Sequence, residues 1–394
     1  MKLLGLFLLI ALVISAVGVP FIYVYYRNWD EASRGEFFFG VSFGLKTAQE
    51  AKSLIDRVKG YSNFFLVNSW DITINETALN EVCDYTVKAN LSFMVFFDFV
   101  SREIYPWHQT WLDTAQERWG DSFLGVYLYD EPGGRQLDVG KDEPDKRVKN
   151  ASDYSEAAKV YVDSLSFQYS TLDVKMRSIP MFTSDYALYW FDYLAGYDAV
   201  FVELGWNHSI PQHIGLGRGA ANSQGKDWGA IITWTYDKPP YLANGSKIFL
   251  DMLTSYRAGA KYVIVLNSDF SPFDSNSSEL SQISSESHEI LRDEHFLAIE
   301  RFWTYINSYP KDFCSRVGGE VAFVLPKDYG WGMRNPDDNI WGLWPADDQS
   351  SLIWENLNKL ITKYGLRLDI IYDDSMFNYS EKYFKVFLWN STII

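Results

Sequence analysis

Residues Phe123–Gly134 read FLGVYLYDEPGG. The run Phe123–Tyr129 is apolar without alternation, and it breaks at Asp130, Glu131, Pro132 and two glycines. A strand buried on both faces reads this way; a half-exposed strand alternates instead. Proline and glycine then end the strand and leave two carboxylates at its C-terminal tip. Outward from this run the same layout recurs. Apolar stretches lie upstream at Phe37–Phe43, Asn63–Ser69 and Leu91–Phe97. Downstream they lie at Lys175–Phe182, Asp198–Leu204, Trp228–Thr235 and Lys261–Asn267. Between them, apolar residues at helical spacing predict helices over Thr47–Lys59, Asn75–Lys88, Ser155–Gln168, Ser246–Arg257 and Ser285–Ile306, with caps at Thr47, Ser155 and Ser246.

Eight strands alternating with helices predict a (β/α)8, or TIM, barrel over residues 36–310. A doubly wound sheet is the alternative, but no glycine-rich dinucleotide turn follows the first strand. The string GLGRG at Gly215–Gly219 follows strand six, and Gly225-Lys226 runs into Asp227, so neither is a phosphate loop. Two polar insertions, Ser101–Ser122 and Gly133–Asn150, leave the C-terminal ends of strands three and four. After Tyr309 the pattern restarts: strands at Val321–Leu325, Leu368–Tyr372 and Phe384–Trp389, and a helix at Ser350–Tyr364. This predicts a small flavodoxin-like α/β unit, residues 319–394, packed on the barrel.

The chain has 394 residues and a formal charge of −16, which disfavours a nucleic-acid partner. Two cysteines, Cys83 and Cys314, exclude zinc ribbons and disulfide scaffolds and leave their own pairing open. Leu3–Tyr26 carries no charge and is long enough to span a bilayer. Residues 1–27 therefore read as a signal anchor, N-in and C-out, or as a cleaved signal peptide. Glycosylation sequons begin at Asn75, Asn90, Asn150, Asn207, Asn244, Asn276, Asn378 and Asn390, which points to a membrane-anchored or secreted glycoprotein. An archaeal or eukaryotic source fits, and archaeal is the reading taken. Aromatics make up 17% of the chain, more than a core readily absorbs as Trp and Tyr; sugar clefts use such rings.

In a barrel, function sits at the C-terminal strand tips. Here they carry Asn68, Trp70 and Asp71 (strand two), Asp98 (three), Asp130 and Glu131 (four), Ser184 and Asp185 (five), Glu203, Trp206 and Asn207 (six), Trp234, Tyr236 and Asp237 (seven), and Asn267 and Asp269 (eight). The ring is acidic and aromatic with almost no Lys or His. That composition suits neither phosphate esters nor Schiff bases; it suits glycosidic bonds, whose cleavage needs two carboxyl groups. No metal or cofactor is expected. The alternative is a barrel that binds glycans without cleaving them, or, more remotely, a surface subunit holding cations on its acidic face.

The stretch GVYLYDEPGG resembles the strand-four motif of TIM-barrel glycoside hydrolases, many of which end strand four in Asn-Glu-Pro with the Glu as acid/base. FVELGWN (Phe201–Asn207) and RGAANSQGKDWGAIITW (Arg218–Trp234) are similar to later strands of uncharacterised members. The resemblance implies Glu131 as acid/base. The common strand-seven nucleophile is missing from ITWTYD. Two mechanisms then compete: Glu203 is the second carboxylate, or Asp130 orients the nitrogen of a substrate acetamido group whose oxygen Tyr236 binds, the version that the adjacent Asp-Glu and the missing strand-seven Glu favour. Asp98, Asn68, Trp70, Trp206, Trp234, Tyr236 and Asn267 are the expected substrate contacts. The bland alternatives are a Glu131–Arg135 salt bridge and a Glu203–Arg218 pair. In the tail, Asp328, Trp331, Arg334 and Asp337 either reach over the barrel mouth or simply pack.

Overall fold

The computed structural model describes residues 36–97, 107–206, 208–236, 238–268, 290–309, 319–379 and 382–391. Eight parallel strands close a barrel in chain order: β1 Phe38–Phe43, β2 Phe64–Val67, β3 Ser92–Phe97, β4 Phe123–Leu128, β5 Met181–Asp185, β6 Ala199–Leu204, β7 Asp227–Ile232 and β8 Tyr262–Val265. Closure comes from β8 beside β1, with Phe38 opposite Tyr262 and Val41 opposite Val265. Outside run α1 Ala48–Val58, α2 Trp70–Thr73, α3 Glu76–Lys88, α4 His108–Trp119, α5 Pro132–Asp138, α6 Tyr154–Ser166 and α7 Tyr169–Met176. They continue with α8 Tyr189–Ala195, α9 Ile210–Gln224, α10 Gly245–Arg257 and α11 Asp293–Ser308.

The local chemistry explains these bounds. Thr47 and Glu50 form a capping box that starts α1, and its Ala51, Leu54, Ile55 and Val58 face the strands. The caps of α6 and α10 fall two residues before the expected serines, on Asp153 and Asn244, whose side chains accept from Glu156 N and Lys247 N. Strand β5 begins later than Lys175 because α7 runs to Met176 and Pro180 has no N–H for the ladder. The polar stretch after β3 contributes α4, a barrel helix.

Aromatic side chains fill the barrel. Phe38 stacks on Tyr262 (5.2 Å), Tyr262 meets Phe182 (5.5 Å) and Phe201 (5.6 Å), and Phe201 stacks on Tyr127 (6.1 Å). Much of the aromatic excess is therefore core. Gly229 makes room for it, since a Cβ there would sit 2.7 Å from the Phe201 ring.

The tail holds β9 Val321–Leu325, α12 Asp348–Tyr364, β10 Leu368–Tyr372 and β11 Lys385–Leu388, a parallel sheet in the order β10-β9-β11. It belongs to one compact unit with the barrel, Phe38–Ile394. The GLGRG string is the seam. A Cβ at Gly215 would come within 2.8 Å of Leu368 O, and one at Gly219 within 2.7 Å of Ile370 O, so α9 approaches β10 backbone to backbone. Between these glycines Arg218 Nε donates to Asp369 Oδ1 at 2.7 Å.

The apolar segment Leu3–Tyr26, together with Asp98, Asn207, Asp237, Asp269, Asn276 and Cys314, lies outside the described residues. Among the described residues no helix is long and apolar enough to cross a membrane. Cys83 is buried and free.

Candidate active site

Side chains two apart on a strand share a face. Ser184 therefore rises above Phe182 on β5, and Glu203 above Phe201 on β6, from the aromatic core into the barrel mouth. Strand β4 delivers its carboxylates differently. Tyr129 and Glu131 take left-handed backbone conformations, φ 55° and 53°, which turn the chain sharply before Pro132 starts α5. The turn is tied to β5 by Glu131 N donating to Ser184 O at 3.1 Å.

A hydrogen-bonded ladder links the acids. The Tyr127 hydroxyl donates to Asp130 Oδ1 and lies 2.7 Å from Ser184 Oγ. Ser184 Oγ donates in turn to Glu203 Oε1 at 2.6 Å. Glu203 Oε2 is buried with no N–H or O–H donor. The Glu131 carboxyl lines the same cavity.

Burial, then the charges of Glu203, Asp130 and Asp185, push Glu131 well above the usual carboxylate range. Glu203 is raised to about 8, by burial first and Asp130 second. Two acids raised together in one pocket keep their protons to higher pH than free carboxyls do. Burial also raises Asp130.

The bland alternatives do not hold. Arg135 pairs with Asp145 (3.2 Å) rather than Glu131, and Arg218 pairs with Asp369 on the tail side of α9 rather than with Glu203.

The acids face a cavity of about 610 Å³. Asn68, Trp70, Trp206 and Trp234 line it with Asp130, Glu131 and Glu203. Two expected contacts do not. Tyr236 is half-exposed outside the cavity, in a turn held by Tyr241 O, and Asn267 is fully buried, accepting from Leu291 N at 3.4 Å. A buried Asn at a strand end serves as a structural acceptor here; its polarity alone could not distinguish the two roles.

One wall had no assigned role in the sequence. Tyr186 OH donates to Asp138 Oδ2 (2.7 Å), Arg334 Nη1 donates to the same oxygen (2.7 Å), and Arg334 N and Nε reach Asp338 Oδ2 (2.8 and 3.2 Å). Arg334 comes from the tail loop, and of the four tail residues considered it is the one that lines the cavity; Trp331 is buried. Tyr127 also lines the cavity, although an apolar strand run hides its role. His208 lines it and stacks on His213 (4.7 Å), and burial lowers the pKa of both rings. Among the described residues no group of His, Cys, Asp and Glu is arranged to hold a metal ion.

No family model matches the sequence, and no curated protein matches it. Solved structures do. A GH5_18 protein from Streptomyces cattleya, in complex with GlcNAc, superposes with a TM-score of 0.54 at 12% identity, covering 90% of this chain and 98% of that one. The endo-β-1,4-mannanase of Thermotoga petrophila gives 0.43 at 9% identity over 70% of this chain and 78% of its own. A thiamine phosphate pyrophosphorylase from Pyrococcus furiosus gives 0.36 at 9%, over 69% and 96%. At these identities the likeness shows the barrel fold alone, which hosts many chemistries.

Proposed function

We propose that this protein is a glycoside hydrolase in which Glu131 protonates the glycosidic oxygen and Glu203 opposes it. The observation that carries the reading is that Glu131 and Glu203 line one cavity edged by tryptophans, where burial and like charge raise both carboxyls. A protonated acid beside an ionised carboxylate is the pairing that glycosidic cleavage needs.

The Glu131 proton passes to the leaving oxygen as the C1–O bond breaks, and a Glu203 oxygen bonds C1. Water then cleaves that ester, giving a proton to Glu131. Inversion needs carboxyls roughly 6.5–9.5 Å apart with a water between them. A Glu203 oxygen that bonds C1 directly gives retention. Asp130 lines the same cavity, so the acetamido-assisted variant stays within this reading, and N-acetylhexosaminides belong in the substrate panel.

The tail acts with the barrel as one functional body, because Arg334 completes the cavity wall. Its sheet order matches the first half of a flavodoxin-like sheet. The setting is extracytoplasmic, with residues 3–26 as membrane anchor. Six sequon asparagines, Asn75, Asn90, Asn150, Asn244, Asn378 and Asn390, are exposed. Asn75 and Asn244 cap helices through Oδ1, which leaves Nδ2, the atom a glycan takes, uninvolved.

The test is turnover of an aryl-glycoside panel by the full-length chain in detergent. Glu131→Gln should lower kcat by at least about 100-fold, the scale of a general acid, with the fold retained. Unchanged kcat in Glu131→Gln would remove the assignment. A wild type that cleaves no sugar, yet binds glycans equally well as Glu131→Gln, would make the protein a glycan binder.

A further inference from the structure

A helix's first residue normally turns its own side chain back onto the free amides two and three positions on. Glu131 begins α5 in that position, with φ 53° and ψ 49°, and makes no such bond. The amides are served from the next strand. Asp185 Oδ2 accepts from Gly133 N at 2.5 Å, and Asp185 Oδ1 from Gly134 N at 2.8 Å. The same carboxylate accepts from Tyr186 N (2.8 Å) and Ala187 N (3.0 Å). Because Asp185 caps the helix, the Glu131 side chain is released toward the cavity.

The two glycines belong to the same arrangement. A Cβ on Gly133 would lie 2.7 Å from Asp185 Oδ2, and one on Gly134 would lie 2.1 Å from the Tyr186 ring. Asp185 is fully buried, and behind it stands Asp192, whose Oδ1 accepts from Tyr161 OH at 2.6 Å. Asp192 Oδ2 is buried without a hydrogen-bond partner among the described residues, and the Asp185 charge adds to burial in raising Asp192. Asp185 is the acceptor of the turn's amides.

We infer that Asp185 is the positioning residue for Glu131, acting through the amides of Gly133 and Gly134. This rests on the acid role given to Glu131. The charged or titratable groups facing Glu131 are Asp130 on its own strand end, Asp185 and Tyr186 at the end of β5, and Glu203 on β6. The neighbouring cations Arg135 and Arg334 are engaged by Asp145 and by Asp138 and Asp338.

The test separates acid positioning from general support of the fold. Dinitrophenyl glycosides leave without a proton donor; alkyl glycosides need one. For Asp185→Ala we expect kcat/KM on an alkyl glycoside to fall roughly 100-fold, the share of a general acid, and kcat/KM on the dinitrophenyl glycoside to stay within about threefold. On the dinitrophenyl glycoside kcat and KM should fall together, because hydrolysis of the ester needs Glu131 again, as base. Asp185→Asn keeps the side chain's shape, weakens its acceptance from the two amides and should give the same selective loss, which guards against misfolding of Asp185→Ala; Gly133→Ala, whose Cβ would also meet Leu188 Cβ (2.7 Å) and Ala187 O (2.8 Å), attacks the link from the helix side. Equal losses on both substrates, or none, would overturn the inference. A wild type inactive on every sugar would sink the hydrolase reading instead. The positioning claim is then decided by titrating Glu131 with a carboxyl-¹³C label in wild type and Gly133→Ala. A lower midpoint in the variant supports it, and an unmoved one ends it.

Discussion

Arg218 and Asp369 bury opposite charges between α9 and β10, whereas Asp130, Glu131, Asp185 and Glu203 bury like charges at the barrel mouth. In the seam the ion pair is bonded on several sides. Arg218 donates to Asp369 Oδ1 (2.7 Å) and to the carbonyls of Leu366 (2.6 Å) and Leu368 (3.3 Å), and Tyr383 OH donates to Asp369 Oδ2 at 3.0 Å. Exposure is 2% for Arg218 and 0% for Asp369. At the mouth, among the described residues, neither Glu131 nor Glu203 has a salt bridge, and burial with like charge raises both carboxyls. The same physical operation, taking a charge out of water, fastens the tail in one place and stores reactivity in the other.

The largest effect should come from breaking the seam. Arg218→Met leaves Asp369 buried without its counter-charge, a loss on the order of 3–5 kcal/mol in urea unfolding. Pairing it with Asp369→Leu removes the stranded charge and should recover most of that loss. If Arg218→Met costs no more than a surface change, the seam is not what fixes the tail.

The mouth should show the reverse sign. A carboxyl whose pKa is raised on folding binds more protons folded than unfolded, so it subtracts stability as pH rises. Asp185, at about 6, and Glu203, at about 8, start from ordinary values near 4. Stability should therefore be highest below about pH 4 as far as these groups act, and should fall from there through pH 8. Glu203→Gln should flatten that slope and raise stability at pH 8 by roughly 2 kcal/mol, while turnover collapses. A wild type whose stability climbs between pH 5 and 8, with Glu203→Gln parallel to it, would contradict the like-charge account.

The barrel was legible because strands buried on both faces read as unbroken apolar runs. It failed to be legible at β5, where the residues MFTSD end in Thr183, Ser184 and Asp185, all buried and all hydrogen-bonded. Polarity needed for the site erased the pattern that announces a strand. The carboxylates of β4 and β6 could be read because a break in an apolar run marks a strand tip. Tyr127 could not, because a tyrosine inside such a run reads as core. The wall of Asp138, Tyr186 and Arg334 required three-dimensional knowledge, since Arg334 lies 196 residues from Asp138. The GLGRG string shows the converse error that spacing invites: Gly215 and Gly219 pack against β10 and Gly217 against Val202 of β6, and none serves a phosphate.

Arg334 is where the two kinds of burial meet, and it carries the smallest effect. It is ion-paired like Arg218, with Asp138 and Asp338, but it faces the cavity and stacks over the Tyr186 ring at 5.7 Å. Lysine keeps the charge and loses the planar fork that spans two carboxylates. Asp138 is half-exposed, so Arg334→Lys should cost under about 1 kcal/mol of stability. The wall would still loosen, because Asp138 also anchors the Tyr186 hydroxyl. If this wall holds sugar hydroxyls, KM should rise roughly threefold at constant kcat, since an interaction made equally in ground and transition states is the one removed. A fall in kcat at constant KM would place Arg334 against the reacting bond instead. A loss of stability on the Arg218 scale would make it a second seam and take it out of substrate recognition.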